Sequence, residues 1–204
     1  LREKVGFERL QEIKPIVIVS LLPPALHHQV ALWALELKAH FFTASYLKPD
    51  IEALDDAVRK ANLTWLCECG LDPGIDHMSA LSILDQYRAK GYACESFESY
   101  CGGLPANQSC NPPWNYKFSW NPMNVILAAQ GEPTTYLENN QTLRLDYPEV
   151  FLHTKSITLE TGEIVEAYAN RDSALYAPLY GLAKASTFIR GTLRYEGFSK
   201  AWYA

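Results

Sequence analysis

The stretch PIVIVSLLPPALHHQVALWALELKAHFFTASY, residues 15–46, decides the fold. Its first part, PIVIVSL (15–21), is a β-branched run halted by Pro23-Pro24, which predicts a strand buried on both faces and then a sharp exit. Behind it, Leu26, Val30, Trp33, Ala34 and Leu37 recur at offsets of four, seven, eight and eleven. That spacing predicts a helix laying one apolar stripe on a sheet. The adjacent pair His27-His28 sends its rings in different directions, so the two read as helix surface and not as a shared metal site. Residues 40–45 read as the next strand.

Downstream the alternation continues. A helix is expected over 50–61, with Ile51, Leu54, Val58 and Ala61 on one face, acids in its first turn, and Arg59 and Lys60 in its last, matching the helix dipole. Residues 64–69 (TWLCEC) form a third strand and 70–74 a tight turn. The next helix, 75–90, turns Met78, Leu81 and Leu84 inward and is stopped by Gly91. This β-α-β-α-β-α order implies right-handed crossovers onto a mostly parallel sheet that binds ligands beyond the carboxyl ends of its strands.

From Ala93 the pattern changes to shorter strands separated by Gly, Pro and Asn, with one helix near 124–130. The predicted fold class is α/β: a partial Rossmann-like parallel sheet over residues 1–92, then an α+β substrate-binding and dimerisation domain over 93–204. A dinucleotide-binding domain ordinarily opens with a strand and a G-x-G-x-x-G turn. Here the sequence opens on LREKVGFERLQEIK (1–14), and no such turn occurs in it. The expectation is a fragment: the first strand, the glycine loop and the ribose-reading residue lie outside this sequence, and the second domain is cut short.

Composition bounds the chemistry. With 204 residues, 48% of them hydrophobic, the chain can bury one sizeable core or two modest ones. A net charge of -5 without a basic run offers no footprint for nucleic acid or an anionic membrane surface. The apolar stretch 15–26 is interrupted by prolines and too short to span a bilayer, and no secretory pattern leads the sequence, so a cytoplasmic location is expected. Five cysteines without a C-x-x-C pair imply reduced thiols and no structural zinc. A small-molecule substrate is the remaining expectation.

The last strand-like segment, TFIRGTLRYEGF (187–198), places Ile189, Leu193 and Tyr195 on one face and Arg190, Thr192 and Arg194 on the other. Strand pattern alone favours a solvated outer face for the second set. A ligand-binding face is the sharper alternative.

The segments VSLLP (19–23), TASY (43–46), GLDPGIDH (70–77), YCGGLP (100–105), NYKFSW (115–120), NRDS (170–173) and IRGTLRYEGF (189–198) stand in an order and spacing that resemble the saccharopine reductases, the L-glutamate-forming saccharopine dehydrogenases. The resemblance spans about 180 residues. It implies an oxidoreductase of lysine metabolism that joins aminoadipate semialdehyde to glutamate as an imine and reduces it with the reduced form of its nicotinamide cofactor, NADP (NAD being possible), or runs the reverse oxidation of saccharopine, in a homodimer. A substrate with three carboxylates calls for arginine, whose planar fork donates paired hydrogen bonds and keeps its charge. Arg171, Arg190 and Arg194 are the substrate-binding candidates, with Asn170 and Thr192 as neutral donors; surface ion pairs with Asp172 or Glu196 are their alternative role.

By the same resemblance Tyr46, Asp72 and Cys101 match family positions near the nicotinamide and the reacting amine. Tyr46 or Asp72 would handle the proton while the cofactor carries the hydride. Ser20, Leu21, Pro23, Ser45, Leu71 and Pro73 are the cofactor-binding candidates, on loops that follow strands. The plainer readings are helix capping for Asp72, small-hydrophobe packing for Cys101 and a backbone-tied hydroxyl for Tyr46. His77 is an outside candidate for acid-base work. Two competing functions remain at this level: a carboxynorspermidine- or homospermidine-type reductase, and a non-catalytic substrate-binding and dimerising module.

Overall fold

In a computed structural model, residues 2–110, 114–118, 122 and 133–203 are described. The chain divides into two compact units, residues 1–80 and 81–204.

The first unit holds helix α1 (Arg2–Ile13), strand β1 (Val17–Ser20), helix α2 (His27–Glu36), strand β2 (His40–Thr43), short helices α3 (Pro49–Glu52) and α4 (Asp55–Lys60), and strand β3 (Trp65–Leu66). The strands are parallel in the order β1-β2-β3, with Ile18 opposite Phe41 and Phe41 opposite Trp65. Helix α2 ends because Lys38 adopts φ 55°, which turns the chain so that Ala39 N–H reaches Ala34 O at 2.8 Å and Lys38 N–H reaches Leu35 O at 3.1 Å. Asn62, at φ 56°, ends α4 in the same way. Ile18, Val30, Ala31, Ala34, Ala39 and Phe41 form the core, flanked by Leu10, Trp33, Leu37, Leu54 and Trp65.

Three expectations are corrected in this unit. Strand β1 is buried on one face only: Ile18 is 8% exposed but Val19 is 61%. Helix α2 covers the face that carries Ile18 and Phe41, and the face that carries Val17, Val19 and Leu66 stands open. The single helix expected over 50–61 is two, because Leu54 N–H bonds Ile51 O in a tighter i to i-3 turn that swings Leu54 onto the core. Strand β3 is also shorter than 64–69. After Leu66 the chain bends through Glu68 at φ 61°, and Glu68 and Cys69 instead donate to Ser45 O and Thr43 O.

Helix α5 (Ile75–Arg88) spans the division between the units and is closed by Gly91 at φ 83°, as expected. Its buried stripe is Ala80 and Leu84. Met78, expected inward, is 62% exposed, because two residues along a helix is about 200° of rotation away from Ala80.

The second unit is built on a six-stranded sheet of β4 (Ser96–Cys101), β5 (Thr134–Glu138), β6 (Gln141–Leu145), β7 (Lys155–Thr158), β8 (Ile164–Ala169) and β9 (Thr187–Tyr195). Strand β9 is its spine, parallel to β4 and antiparallel to β5 and β8. Asn139 and Asn140, at φ 49° and 63°, make the tight turn between β5 and β6 that a two-residue hairpin requires. One face of the sheet packs Tyr136, Ala169 and Ile189; Tyr116, Val150, Phe151 and Phe198 gather in another cluster. Glu166 accepts from Gly197 N–H at 2.6 Å and Ser199 N–H at 2.9 Å, fixing the start of the helix Phe198–Tyr203. The helix expected near 124–130 lies outside the described residues.

Candidate active-site faces

At the carboxyl ends of β1 and β2, within the first unit, hydroxyls gather round one ring. His27 Nδ1 lies 2.8 Å from Ser20 Oγ, and its Nε2 lies 2.8 Å from Ser45 Oγ and 3.3 Å from Thr43 Oγ1. His27 is 2% exposed, which overturns its reading as helix surface. Pro24–Leu26 form a 3-10 turn that leads straight into α2, and the first residue of that helix is tucked over the strand ends. Burial, and after it the charge of Lys48, lowers the pKa of His27 below that of an ordinary histidine. His28, next along, sits at the surface 3.9 Å from Asp50.

The turn 70–74 closes on itself, with Gly70 N–H donating to Pro73 O at 2.9 Å and Ile75 N–H to Gly70 O at 2.9 Å. A Cβ at Gly74, which has φ 146°, would meet Gly70 O at 2.2 Å, so this turn requires glycine. It presents Asp72 at the surface, where Tyr46 Oη donates to Asp72 Oδ1 at 2.9 Å. The Tyr46 hydroxyl is thus tied to a carboxylate, a short proton path between two groups that were each singled out from sequence. Of the cofactor candidates, Ser20 and Ser45 belong to the His27 network. Leu21 and Leu71 are 80% and 62% exposed, Pro23 is exposed and Pro73 is buried in the turn.

In the second unit the register of three strands builds a row. Cys101 of β4 lies opposite Thr192 of β9, which lies opposite Tyr168 of β8. Two residues to one side, Ser99 pairs with Arg190; two to the other, Arg194 pairs with Glu166. Since alternate residues share a face, Cys101, Ser99, Arg190, Thr192, Arg194, Tyr168 and Glu166 all belong to one side of the sheet. Arg190, Thr192 and Arg194 are each 9% exposed, so this is no solvated outer face.

Aromatic rings cover the two arginines. The Arg190 guanidinium carbon is 4.3 Å from the centre of the Tyr176 ring, and that of Arg194 is 4.8 Å from Tyr116 and 5.3 Å from Phe198. Arg194 donates from Nη1 to Leu193 O at 2.8 Å, while its buried Nε has no hydrogen-bond partner. Among the described residues no carboxylate forms an ion pair with Arg194. A buried guanidinium with an unused donor is a standing site for a carboxylate. Asn170 and Arg171 lie beyond the end of β8 and are exposed, with Arg171 at φ 56°, so they stand outside the buried row.

Sequence reasoning missed Tyr168, beside Thr192 and buried enough that its hydroxyl is pushed up to about 12, against the opposing charge of Arg194. It also missed Glu166. The signal was present, because in IVEAYA (164–169) Glu166 and Tyr168 alternate with Val165, Ala167 and Ala169.

The family model of the saccharopine dehydrogenase C-terminal domain matches residues 70–204. The saccharopine dehydrogenase [NADP(+), L-glutamate-forming] of Saccharomyces cerevisiae is 38% identical over 182 residues, 89% of this chain and 41% of the relative. The mitochondrial alpha-aminoadipic semialdehyde synthase of Rattus norvegicus is 41% identical over 186 residues, 91% of this chain and 20% of the relative. The solved structure of the apo, histidine-tagged Saccharomyces cerevisiae saccharopine dehydrogenase (L-Glu forming) superposes with a TM-score of 0.82 at 36% identity, covering 97% of this chain and 43% of that one. The chain therefore spans between a fifth and two fifths of the length of these relatives.

Proposed function

This chain belongs to the saccharopine dehydrogenase family, and on that footing we propose that it serves the interconversion of saccharopine with aminoadipate semialdehyde and glutamate, within an NADP-dependent, L-glutamate-forming oxidoreductase of lysine metabolism. The observation that carries this reading is Arg194, buried, capped by aromatic rings and without a carboxylate among the described residues, in one row with Thr192, Arg190 and Cys101. Its guanidinium binds one substrate carboxylate. Arg190 and the Thr192 hydroxyl serve a second, and Asn170 and Arg171, at the exposed end of β8, reach a third.

The Tyr46–Asp72 pair holds and moves the proton as the substrate nitrogen changes charge, the phenol donating to the carboxylate at 2.9 Å before substrate arrives. Cys101, opposite Thr192, belongs to the same substrate-binding face as the two arginines. NADPH, when bound, would supply the hydride, and NADP+ would accept it in the reverse oxidation. The loops that follow the strands fit a nucleotide, since they offer a half-buried Ser45 hydroxyl and exposed apolar side chains at Leu21 and Leu71. Leu21, Pro23, Ser45 and Leu71 would hold it, with the buried Ser20 and Pro73 shaping the loops behind them. In this proposal residues 1–92 belong to the dinucleotide-binding domain and 93–204 to the substrate-binding domain of a cytoplasmic homodimer. The Rattus norvegicus relative is named as mitochondrial, and among the described residues no helix is long and apolar enough to cross a membrane.

The test is titration of saccharopine into the unaltered chain and into Arg194→Met. Loss of a charged, desolvated hydrogen bond should weaken binding about tenfold to a hundredfold. Equal affinity in the two proteins would remove the tricarboxylate reading. A diamine-derived imine, with fewer carboxylates, would give the buried Arg194 guanidinium no carboxylate to bind.

A further inference from the structure

One buried titratable group has no part in the chemistry proposed above. His27 binds the end of β1 through Ser20, the end of β2 through Thr43 and the following loop through Ser45, all within 3.3 Å. Counting protons fixes its tautomer. A neutral imidazole has one N–H and one lone pair, and each ring nitrogen here has a hydroxyl at 2.8 Å.

Ser20 is 3% exposed, and among the described residues the Nδ1 of His27 is the only partner of its hydroxyl. A hydroxyl sealed from water must place its proton on an acceptor, so Ser20 O–H donates to Nδ1. The opposite tautomer would strand that proton in a buried site. Thr43, 1% exposed, has the same need of an acceptor, but its oxygen stands 3.3 Å from Nε2 and accepts from the Ser45 N–H at 3.3 Å, so the closer contact of Ser20 at 2.8 Å decides. The ring proton therefore lies on Nε2 and is donated to Ser45 Oγ at 2.8 Å. Ser45 Oγ is thereby used as an acceptor, and its own proton is left to donate. Being half-buried, Ser45 can direct that proton to a ligand.

We propose that His27 is a positioning residue, which holds the Ser45 hydroxyl as a hydrogen-bond donor to an acceptor oxygen of the bound nicotinamide nucleotide and ties the loops after β1 and β2 to one ring. The inference rests on the reading of these loops as cofactor-binding. Serine 45 is the group that touches the nucleotide, and the histidine acts through it.

The first measurement needs no cofactor. In the 15N-histidine-labelled chain at pH 7, the His27 ring should show the spectrum of the Nε2–H tautomer, and Ser20→Ala should convert it to a mixture. An Nδ1–H ring, or a ring indifferent to Ser20→Ala, overturns the proposal. The second is fluorescence titration with NADPH. Ser45→Ala and His27→Phe should each weaken binding about tenfold, and the double variant should bind no more weakly than the weaker single one, since both remove one donated bond. His27→Gln, whose carboxamide keeps a donor and an acceptor, should recover part of the loss, and it replaces His27→Phe if circular dichroism shows that variant unfolded. His28→Gln, at the surface, is the matched control. NADPH affinity that is unchanged in His27→Phe, or in Ser45→Ala, or additive losses, overturn this inference and leave the proposed function standing. An unaltered chain that fails to bind NADPH overturns the cofactor reading itself, and the nucleotide half of this inference with it.

Discussion

His27 also gives the stability of the fold a pH signature. Burial, with Lys48 behind it, sets the folded pKa of this ring below the ordinary 6.5, so the unfolded chain binds the proton more readily. Its contribution is fully present above pH 6.5 and is lost as pH falls from there through the folded value. Thermal melts from pH 7.5 to 5 should show a fall in Tm that is shallower in His27→Gln. A parallel pH dependence in both proteins would assign the effect to other groups. Part of the geometry at this scale was legible in the residues: Tyr46 and Asp72, chosen separately, are hydrogen-bonded, and Arg190, Thr192 and Arg194 do share one face. The burial of that face was not legible, because an arginine row reads the same whether water or aromatic rings lie above it. His27 was hidden for a related reason. A helix pattern assigns polar residues to the surface, and only the strand ends show that three hydroxyls await it.

Among the elements, β9 is the most constrained. It is hydrogen-bonded along both edges, and at Gly191 a Cβ would lie 2.3 Å from Tyr168 O and 2.7 Å from the Tyr100 ring. The ring could shift but the carbonyl belongs to the paired strand. Gly191→Ala should therefore spread β8 from β9 at the row that carries Thr192, costing about 1–3 kcal/mol or more in chemical denaturation. A cost near zero would show that the strands part without strain. The order of strands and helices up to Gly91 followed from apolar spacing and from proline and glycine punctuation. Boundaries set by backbone alone did not follow: Lys38 and Asn62 take the left-handed conformation that closes α2 and α4, yet neither is the glycine that announces such a stop. In the second unit the strands were anticipated as a class, but not their order, since pairing across β9 joins segments about ninety residues apart such as Ser96 and Thr187.

On the scale of the whole molecule, the chain divides into two units at 80/81, inside α5, whereas the sequence pattern changes from regular alternation to short strands near residue 93. The parallel sheet of the first unit, expected to be covered twice, is covered once. Strand β1 stands at the end of the strand order with Ile16, Val19 and Leu21 at 77%, 61% and 80% exposure. Such a margin is sticky in two ways, since its peptide groups can extend a ladder and its side chains can be wetted only at a cost. In the test tube the 204-residue chain should behave as a reluctant colloid. Light scattering should climb with protein concentration and subside in Val19→Lys, whose ammonium repels a neighbouring copy at the same margin, while scattering unmoved by that change would place the adhesion elsewhere.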